Sequence, residues 1–325
     1  MPDSEFEIIK RYFHRQTSAD DNVILGIGDD AAIVSTPANR QLAISIDTLI
    51  SGVHFPNETS AADIAWKALA VNLSDLAAMG ATPAWFTLAL SLPQVDHHWL
   101  AEFSESLAKI SSAYHIPLVG GDTTRGALSI TIQVAGYVDV AGALLRSGAQ
   151  PGDHVFVSGT LGDAALGLFA VQQKIEQTDN IKYLLAQLNR PQPRLELGQR
   201  LAGVASACID ISDGLFADLS HILAASGVGA CVQREHIPLS KAAKQFLSEH
   251  PELIEDVYNR GDDYELCFCV PKDKCGQLAT IEKQAGCRLT HIGEIVAGKA
   301  LQVFDAQGKP VNLRHDNYDH FAEKV

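Results

Sequence analysis

The chain has no cysteine before Cys208 and no C-x-x-C pair anywhere. Its six cysteines fall between Cys208 and Cys287, and Cys267 and Cys269 alternate along the strand-like stretch ELCFCV. That pattern reads as buried thiols rather than zinc ligands or a disulfide framework. Basic residues are also scarce. Against 39 acidic residues stand 25 basic ones, and the net charge of −14 argues against nucleic-acid backbones or anionic membranes as partners. An acidic protein can still hold phosphates through metal ions. No apolar run approaches the ~18 residues a bilayer span requires, and the polar, acidic start MPDSEFEIIK does not read as a secretory leader. The expected setting is the cytosol.

The familiar catalytic signatures are missing too. There is no G-x-x-x-x-G-K-[ST] loop: Lys299 and Lys309 follow glycines but precede Ala300 and Pro310. G-x-G-x-x-G, H-E-x-x-H, an H-R-D loop and a G-x-S-x-G elbow are likewise absent, as are tandem repeats and low-complexity tracts.

What is present is a chain of 325 residues, 46% hydrophobic, long enough for about two domains. Residues 41–49, QLAISIDTL, alternate so that Leu42, Ile44 and Ile46 share one strand face and Ser45 and Asp47 the other. Ser60 reads as the N-cap of a helix ending at Gly80, and on it Asn72 and Asp75, three apart, project from one side. There follow a strand at FTLALSL, a helix over 96–113, a strand IPLV, a turn GGDTTRG and a strand ALSITIQVAGYV. The Gly, Pro and Ser of residues 146–153 mark a boundary, dividing the chain into 1–148 and 149–325. The second half mixes elements in the same way. HVFVSG runs into the glycine-bearing helix start GTLGDAALGLFA, SACIDISDGLFADLSHILAAS reads as strand, turn and helix, and GDDYELCFCVP is a turn feeding a strand.

Carboxylates recur beside glycines at the ends of these elements. Asp153 and Asp163 read as ordinary turn and cap residues. Asp30, Asp47, Asp75, Asp122, Asp210 and Asp213 form a more unusual set, each beside small or apolar residues and, Arg125 near Asp122 apart, with no Lys or Arg nearby in sequence. Acids converging without basic partners need a cation, and hard oxygen ligands imply a hard one, magnesium above all. A non-catalytic scaffold holding calcium stays open on composition alone. Of the histidines, His97 and His98 begin a helix and read as solvated, whereas His54 follows the acidic strand and could face a ligand.

The segments GIGDDAA, SIDTLISGVHF, NLSDLAAMGA, GGDTTRG, the arginine of LLRSGAQPGD, DISDGL, GDDYEL and NYDHF, in this order from Gly26 to Phe321, resemble the thiamine-monophosphate kinase family. The resemblance covers nearly the whole chain. It implies a mixed α/β fold of the aminoimidazole ribonucleotide synthetase type. In that fold an N-terminal domain (1–148) binds ATP and magnesium and pairs with its copy in a homodimer, and a C-terminal α/β domain (149–325) closes over the nucleotide. It also implies the reaction of ATP with thiamine phosphate to give ADP and thiamine diphosphate. Within the same fold, selenophosphate synthetase would want a reactive N-terminal cysteine and the hydrogenase-maturation carbamoyl dehydratase a C-terminal one. This chain has neither, so aminoimidazole ribonucleotide synthetase is the nearest alternative.

Carried over by position, the resemblance implies that Asp30, Ser45, Ile46, Asp47, Asp75, Asp122, Asp210 and Asp213 surround several Mg2+ ions. The catalytic weight would fall on Asp47, Asp75, Asp122 and Asp210. Ile46 stands where relatives often have threonine, so a contact there would come from its backbone carbonyl. Gly121, Asp122, Arg146 and Ser212 would touch ATP. His54, Asp262 and Tyr318 would line the thiamine phosphate pocket, with Asp262 in place of the expected glutamate.

Overall fold

The alternation of QLAISIDTLI does form a strand, and that strand is the edge of a sheet. The computed structural model of the chain describes residues 5–14 and 22–311. They gather into two units: the described residues up to Leu76 with Ala81–Ala141, and Ala77–Gly80 with the described residues from Gly142 onward. Leu144 N–H donates to the Met79 carbonyl (3.0 Å) and Cys208 N–H to the Leu145 carbonyl (2.8 Å), so the chain is already part of the second unit before the Gly/Pro-rich loop.

The first unit opens with the short helix α1 (Glu5–Ile8), a π-helical turn through Phe13, and the antiparallel pair β1 (Val23–Leu25) and β2 (Ile33–Val34). Then come β3 (Arg40–Ile50), α2 (Ala61–Ala78), β4 (Thr82–Leu92), α3 (His97–Ala113), β5 (Leu118–Arg125) and β6 (Ser129–Asp139). The last four strands pair in the order β3-β6-β4-β5. Ser60 caps α2 as expected: its Oγ accepts from the Asp63 amide at 3.1 Å and donates to the Asp63 carboxylate at 2.8 Å. Gly80, at φ +66°, turns the chain out of the helix. Asp96 caps α3 through the amides of His98 and Trp99.

Sheet and helices share one core. Ile130, Ile132 and Val134 of β6 and Phe86, Leu88 and Leu90 of β4 are buried, as are Leu69, Leu73 and Leu76 of α2. The opposite face of β3 carries Ile44 and Ile46, which are 54% and 59% exposed. The apolar row of β3 therefore faces outward, and the row with Ser45 and Asp47 faces α2.

The segment GGDTTRG is not a turn. Its residues 120–125 lie in β5, whose register with β4 shifts between Phe86 and Thr87. A Cβ at Gly121 would sit 1.9 Å from the Leu88 carbonyl oxygen, so glycine there permits close strand pairing rather than chain reversal. β4 likewise begins four residues before the expected FTLALSL.

The second unit contains β7 (His154–Ser158), α4 (Asp163–Gln172), α5 (Asp179–Asn189), α6 (Leu195–Leu201), β8 (Ala207–Asp210), α7 (Leu215–Ser226) and β9 (Gly229–Gln233). It continues through α8 (Lys241–Glu249), α9 (Ile254–Asn259), β10 (Leu266–Val270), α10 (Leu278–Ala285), β11 (Leu289–Val296), β12 (Leu301–Phe304) and β13 (Pro310–Val311). Its seven-stranded sheet runs β13-β12-β9-β11-β7-β10-β8, antiparallel throughout except β12 with β9. One core joins Val155 and Val157 of β7, Cys267 and Cys269 of β10, and Leu219 and Ile222 of α7. All five residues of β10 are buried, which is why LCFCV is apolar without alternation. The six cysteines are free; Cys208, Cys267, Cys269 and Cys287 are buried, and burial pushes their thiol pKa values up. The fold is thus the mixed α/β class expected. Tyr318 lies outside the described residues.

Candidate functional site

In the first unit, strand β3 and helix α2 are joined by polar contacts at two points. Ser45 Oγ donates to Asp75 Oδ2 at 2.5 Å, and the Asp47 backbone amide donates to Asn72 Oδ1 at 3.1 Å. Asn72 is itself held by its own helix, Nδ2 donating to the Ala68 carbonyl at 2.9 Å. The helical spacing of 72 and 75 thus meets the strand spacing of 45 and 47. Burial, and then the charge of Asp75, push the Asp47 carboxyl up to about 6. Two carboxylates held in this way favour a cation between them over either being charged alone.

The other predicted residues of this unit are not all brought to that point. The register aligns Asp47 with Ile132, Leu88 and Gly121, and Asp122 with Ala89, Thr131 and Thr48. Asp122 is therefore on the opposite edge strand and in the alternate row, roughly 14 Å away at three strand spacings. Asp30 is exposed, and its amide donates to Asp29 Oδ1 at 2.9 Å. The first acid of the G-D-D turn is thus used locally. Ile46 points its side chain out on the isoleucine row. His54 lies in the turn after β3, where its Nδ1 accepts the Ile50 amide at 3.0 Å. The neutral ring then carries its proton on Nε2.

In the second unit two loops lie side by side. Asp210 ends β8 and is buried, opposite Leu266 of β10. Beyond this pair Ile211 N–H donates to the Glu265 carbonyl (2.7 Å), Tyr264 N–H to the Ile211 carbonyl (2.8 Å), and Asp262 N–H to the Ser212 carbonyl (3.0 Å). DISDG and GDDYE are therefore one structure, which brings Asp210, Ser212, Asp213 and Asp262 together. A Cβ on Gly261 would stand 1.6 Å from the Ser212 oxygen, so only glycine fits. Asp262 and Tyr264 adopt left-handed φ values of +70° and +52°, and the Tyr264 hydroxyl donates to Asp262 Oδ1 at 3.0 Å. Strain at two non-glycine residues beside a cluster of acids is a mark of function. Arg146 is exposed, and Ser226 Oγ anchors its segment by accepting the amides of Gly148 (3.1 Å) and Ala149 (3.2 Å).

Sequence reading missed the buried acids that support these loops. Asp218 accepts three backbone amides, and burial, the largest influence, raises its carboxyl to about 7. Among the described residues, Asp213, Asp218 and His221 offer ligand atoms within 4.8 Å of one another. Asp263 accepts the Gly162 amide with both oxygens, at 2.9 Å each, and burial holds its carboxyl well above the usual range. Glu265 takes a bidentate contact from Arg194, Nε at 2.7 Å and Nη2 at 2.5 Å, and accepts the Ser158 hydroxyl. Asp153 and Asp163 are structural, as expected: Asp153 accepts the Ser206 hydroxyl and Asp163 those of Thr160 and Ser240. At both glycine-bearing helix starts of this unit, Gly162 and Gly214, an internal carboxylate takes up backbone N–H groups that could otherwise hold a phosphate.

Residues 28–138 match the N-terminal domain of AIR synthase related proteins, and residues 150–306 match their C-terminal domain. These matches and the two acid-bearing α/β units define an AIR synthase related protein. The thiamine-monophosphate kinase of Salmonella typhimurium is 47% identical over 325 residues, 99% of each chain. The crystal structure of thiamine-monophosphate kinase from Stenotrophomonas maltophilia superposes with a TM-score of 0.84 at 45% identity, covering 90% of this chain and 93% of that one. AaThiL complexed with AMPPCP and TMP superposes at 0.78 with 31% identity, covering 91% and 92%. The chain belongs to the thiamine-monophosphate kinase family and is an enzyme of the kinase class.

Proposed function

We propose that this enzyme transfers the γ-phosphoryl group of ATP directly to the phosphate of thiamine phosphate, giving ADP and thiamine diphosphate, the last step in making that coenzyme. The observation that carries the reading is the Asp47–Asp75 pair. In a chain that covers 99% of a named kinase, two motif acids are clamped together with one carboxyl raised to about 6. The relative solved with AMPPCP and TMP supports the same substrates here.

The donor set fits magnesium. Ser45, Asp47 and Asp75 offer hard oxygens, the mutual repulsion of the acids suits a divalent cation, and Asp210 and Asp213 repeat the chemistry in the second unit. These residues, with Asp30, Asp122 and the Ile46 carbonyl, would hold the ions. Bound magnesium would neutralise the charge of the two phosphate groups being brought together.

This chain's own residues would do the rest. Arg146 would add charge-assisted contacts to the triphosphate, with Gly121, Asp122 and Ser212. His54, its ring set by the Ile50 amide, and Asp262, held by the Tyr264 hydroxyl, would orient the acceptor. An oxygen of the acceptor phosphate forms the new bond to the γ-phosphorus, the bond to the β–γ bridging oxygen breaks, and ADP leaves with that electron pair. The acceptor is largely dianionic near neutral pH, its second pKa being about 6, so the step requires no strong base.

The exposed isoleucine row of β3 supports a homodimer formed through the N-terminal half, and the thiols, all free, accord with the cytoplasm. The test of the reading is ADP release from ATP against a panel of phosphorylated acceptors. Thiamine phosphate should be turned over. A preference for unphosphorylated thiamine, or ADP formed with another phosphorylated acceptor but not with thiamine phosphate, would overturn it.

A further inference from the structure

The Oδ2 atom of Asp218 accepts three successive backbone amides, from Ser212 and Asp213 at 3.0 Å and from Gly214 at 3.1 Å. Helix α7 begins at Leu215, so all three donors precede its first turn. An acid capping its own helix reaches back to the amide of the N-cap residue, here Gly214, and the amides of Ser212 and Asp213 lie outside that role. Asp218 reaches back and organises the loop. Convergent amides of this kind form a nest that attracts an external anion, and here the nest is filled by the internal, buried carboxyl of Asp218. With its N–H groups turned inward onto Asp218, the loop is left to present oxygens: the Asp213 carboxylate, the Ser212 hydroxyl and backbone carbonyls.

We infer that Asp218 is a positioning residue, fixing the Ser212–Gly214 backbone so that Asp210 and Asp213 are set to receive a divalent cation rather than a phosphate. The inference rests on the proposed magnesium-dependent kinase reading. Other contacts show how tightly the same loop is specified. Gly214, at φ +124°, leaves no room for a side chain, since a Cβ would lie 2.8 Å from the Asn259 carbonyl carbon, and Ser212 O is taken by the Asp262 amide.

Two substitutions separate positioning from charge. Asp218→Asn keeps an acceptor oxygen at the nest and loses the charge. Asp218→Glu keeps the charge and displaces the oxygen by a methylene. The readouts are Mn2+ binding to the whole protein without nucleotide, followed by electron paramagnetic resonance, and the Mg2+ concentration giving half-maximal ADP formation with thiamine phosphate. Asp218→Asn should stay within about threefold of the unaltered protein on both, whereas Asp218→Glu should weaken one class of bound Mn2+ and raise the Mg2+ requirement at least tenfold, the scale of lost ligand support. Should the glutamate variant fail to fold, Asp218→Ser, which shortens the side chain and withdraws the acceptor, takes its place with the same expectation. A glutamate or serine variant equal to the unaltered protein, or an asparagine variant as impaired as they are, would overturn the inference. If the unaltered protein forms no ADP with thiamine phosphate, the kinase reading itself fails, a result distinct from either.

Discussion

Ser45 Oγ donates to the Asp75 carboxylate at 2.5 Å, and two residues further along β3 the Asp47 amide donates to Asn72 on the same helix. A strand advancing by two and a helix advancing by three meet at two points. This match sets the Asp47 and Asp75 carboxylates beside each other in a partly buried place. The resulting electrostatic stress would make the metal-free protein pay in stability for its site.

That stress is measurable. The Asp47 carboxyl, ordinarily at 3.8, sits at about 6 in the fold. Below pH ~4 both folded and unfolded chains are protonated there and no penalty arises. As pH rises from ~4 to ~6 the unfolded chain ionises first, stability falls, and the loss is complete above ~6, at about 3 kcal/mol. Asp47→Asn avoids it. In the absence of divalent ions this variant should melt a few degrees higher at pH 7.5, with the gain vanishing near pH 4, while kinase turnover falls on the order of a hundredfold or more. Unchanged melting at pH 7.5 would refute the electrostatic account.

Gly120 and Gly121 are neighbours in β5 with opposite surroundings. A Cβ at Gly120 meets nothing within 4 Å, whereas one at Gly121 meets the Leu88 carbonyl oxygen at 1.9 Å. Gly120→Ala should therefore change the denaturation midpoint little. Gly121→Ala, forcing backbone from backbone, should cost several kcal/mol, on the order of other severe core disruptions. Equal stabilities for the two variants would contradict the tight β4–β5 pairing.

Glu265 is buried, its side chain 7% exposed, with Arg194 as its bidentate partner. Arg194→Met leaves that carboxylate without its counter-charge, and urea unfolding of the second unit should show a loss of about 3–5 kcal/mol. The double variant Arg194→Met/Glu265→Gln should recover much of it. Failure of the second change to recover stability would show that packing rather than charge dominates.

Much of this was legible in the sequence. The periods of β3 and α2, the Ser60 cap and the i, i+3 pair Asn72 and Asp75 are local signals, and local signals survive into the fold. GGDTTRG misled because glycine pairs usually mark turns, whereas Gly121 serves a strand contact that only the fold reveals. Asp218 carried a weak signal, an acid four residues after the glycine that opens a helix. Asp263 and Glu265 lie in the GDDYEL segment, but nothing marked their supporting role: their partners, Gly162 and Arg194, are about a hundred and about seventy residues distant in sequence, and long-range pairing leaves no periodic trace.

The outward isoleucines bear on assembly. Ile44 and Ile46, more than half exposed, form an apolar row suited to a two-fold partner. Sedimentation velocity at micromolar protein should give a dimer, and Ile44→Lys should shift it toward monomer. A monomer for the unaltered chain would contradict the proposal.

The most direct measurement follows the phosphoryl group. The enzyme is incubated with γ-labelled ATP and magnesium, with and without thiamine phosphate, and the label is located after denaturation. Label should appear in thiamine diphosphate in amounts equal to the ADP formed, with none retained on the protein and little transfer when thiamine replaces thiamine phosphate. Label held on denatured protein and chased into product, or ADP formed with thiamine but not with thiamine phosphate, would contradict direct transfer to thiamine phosphate.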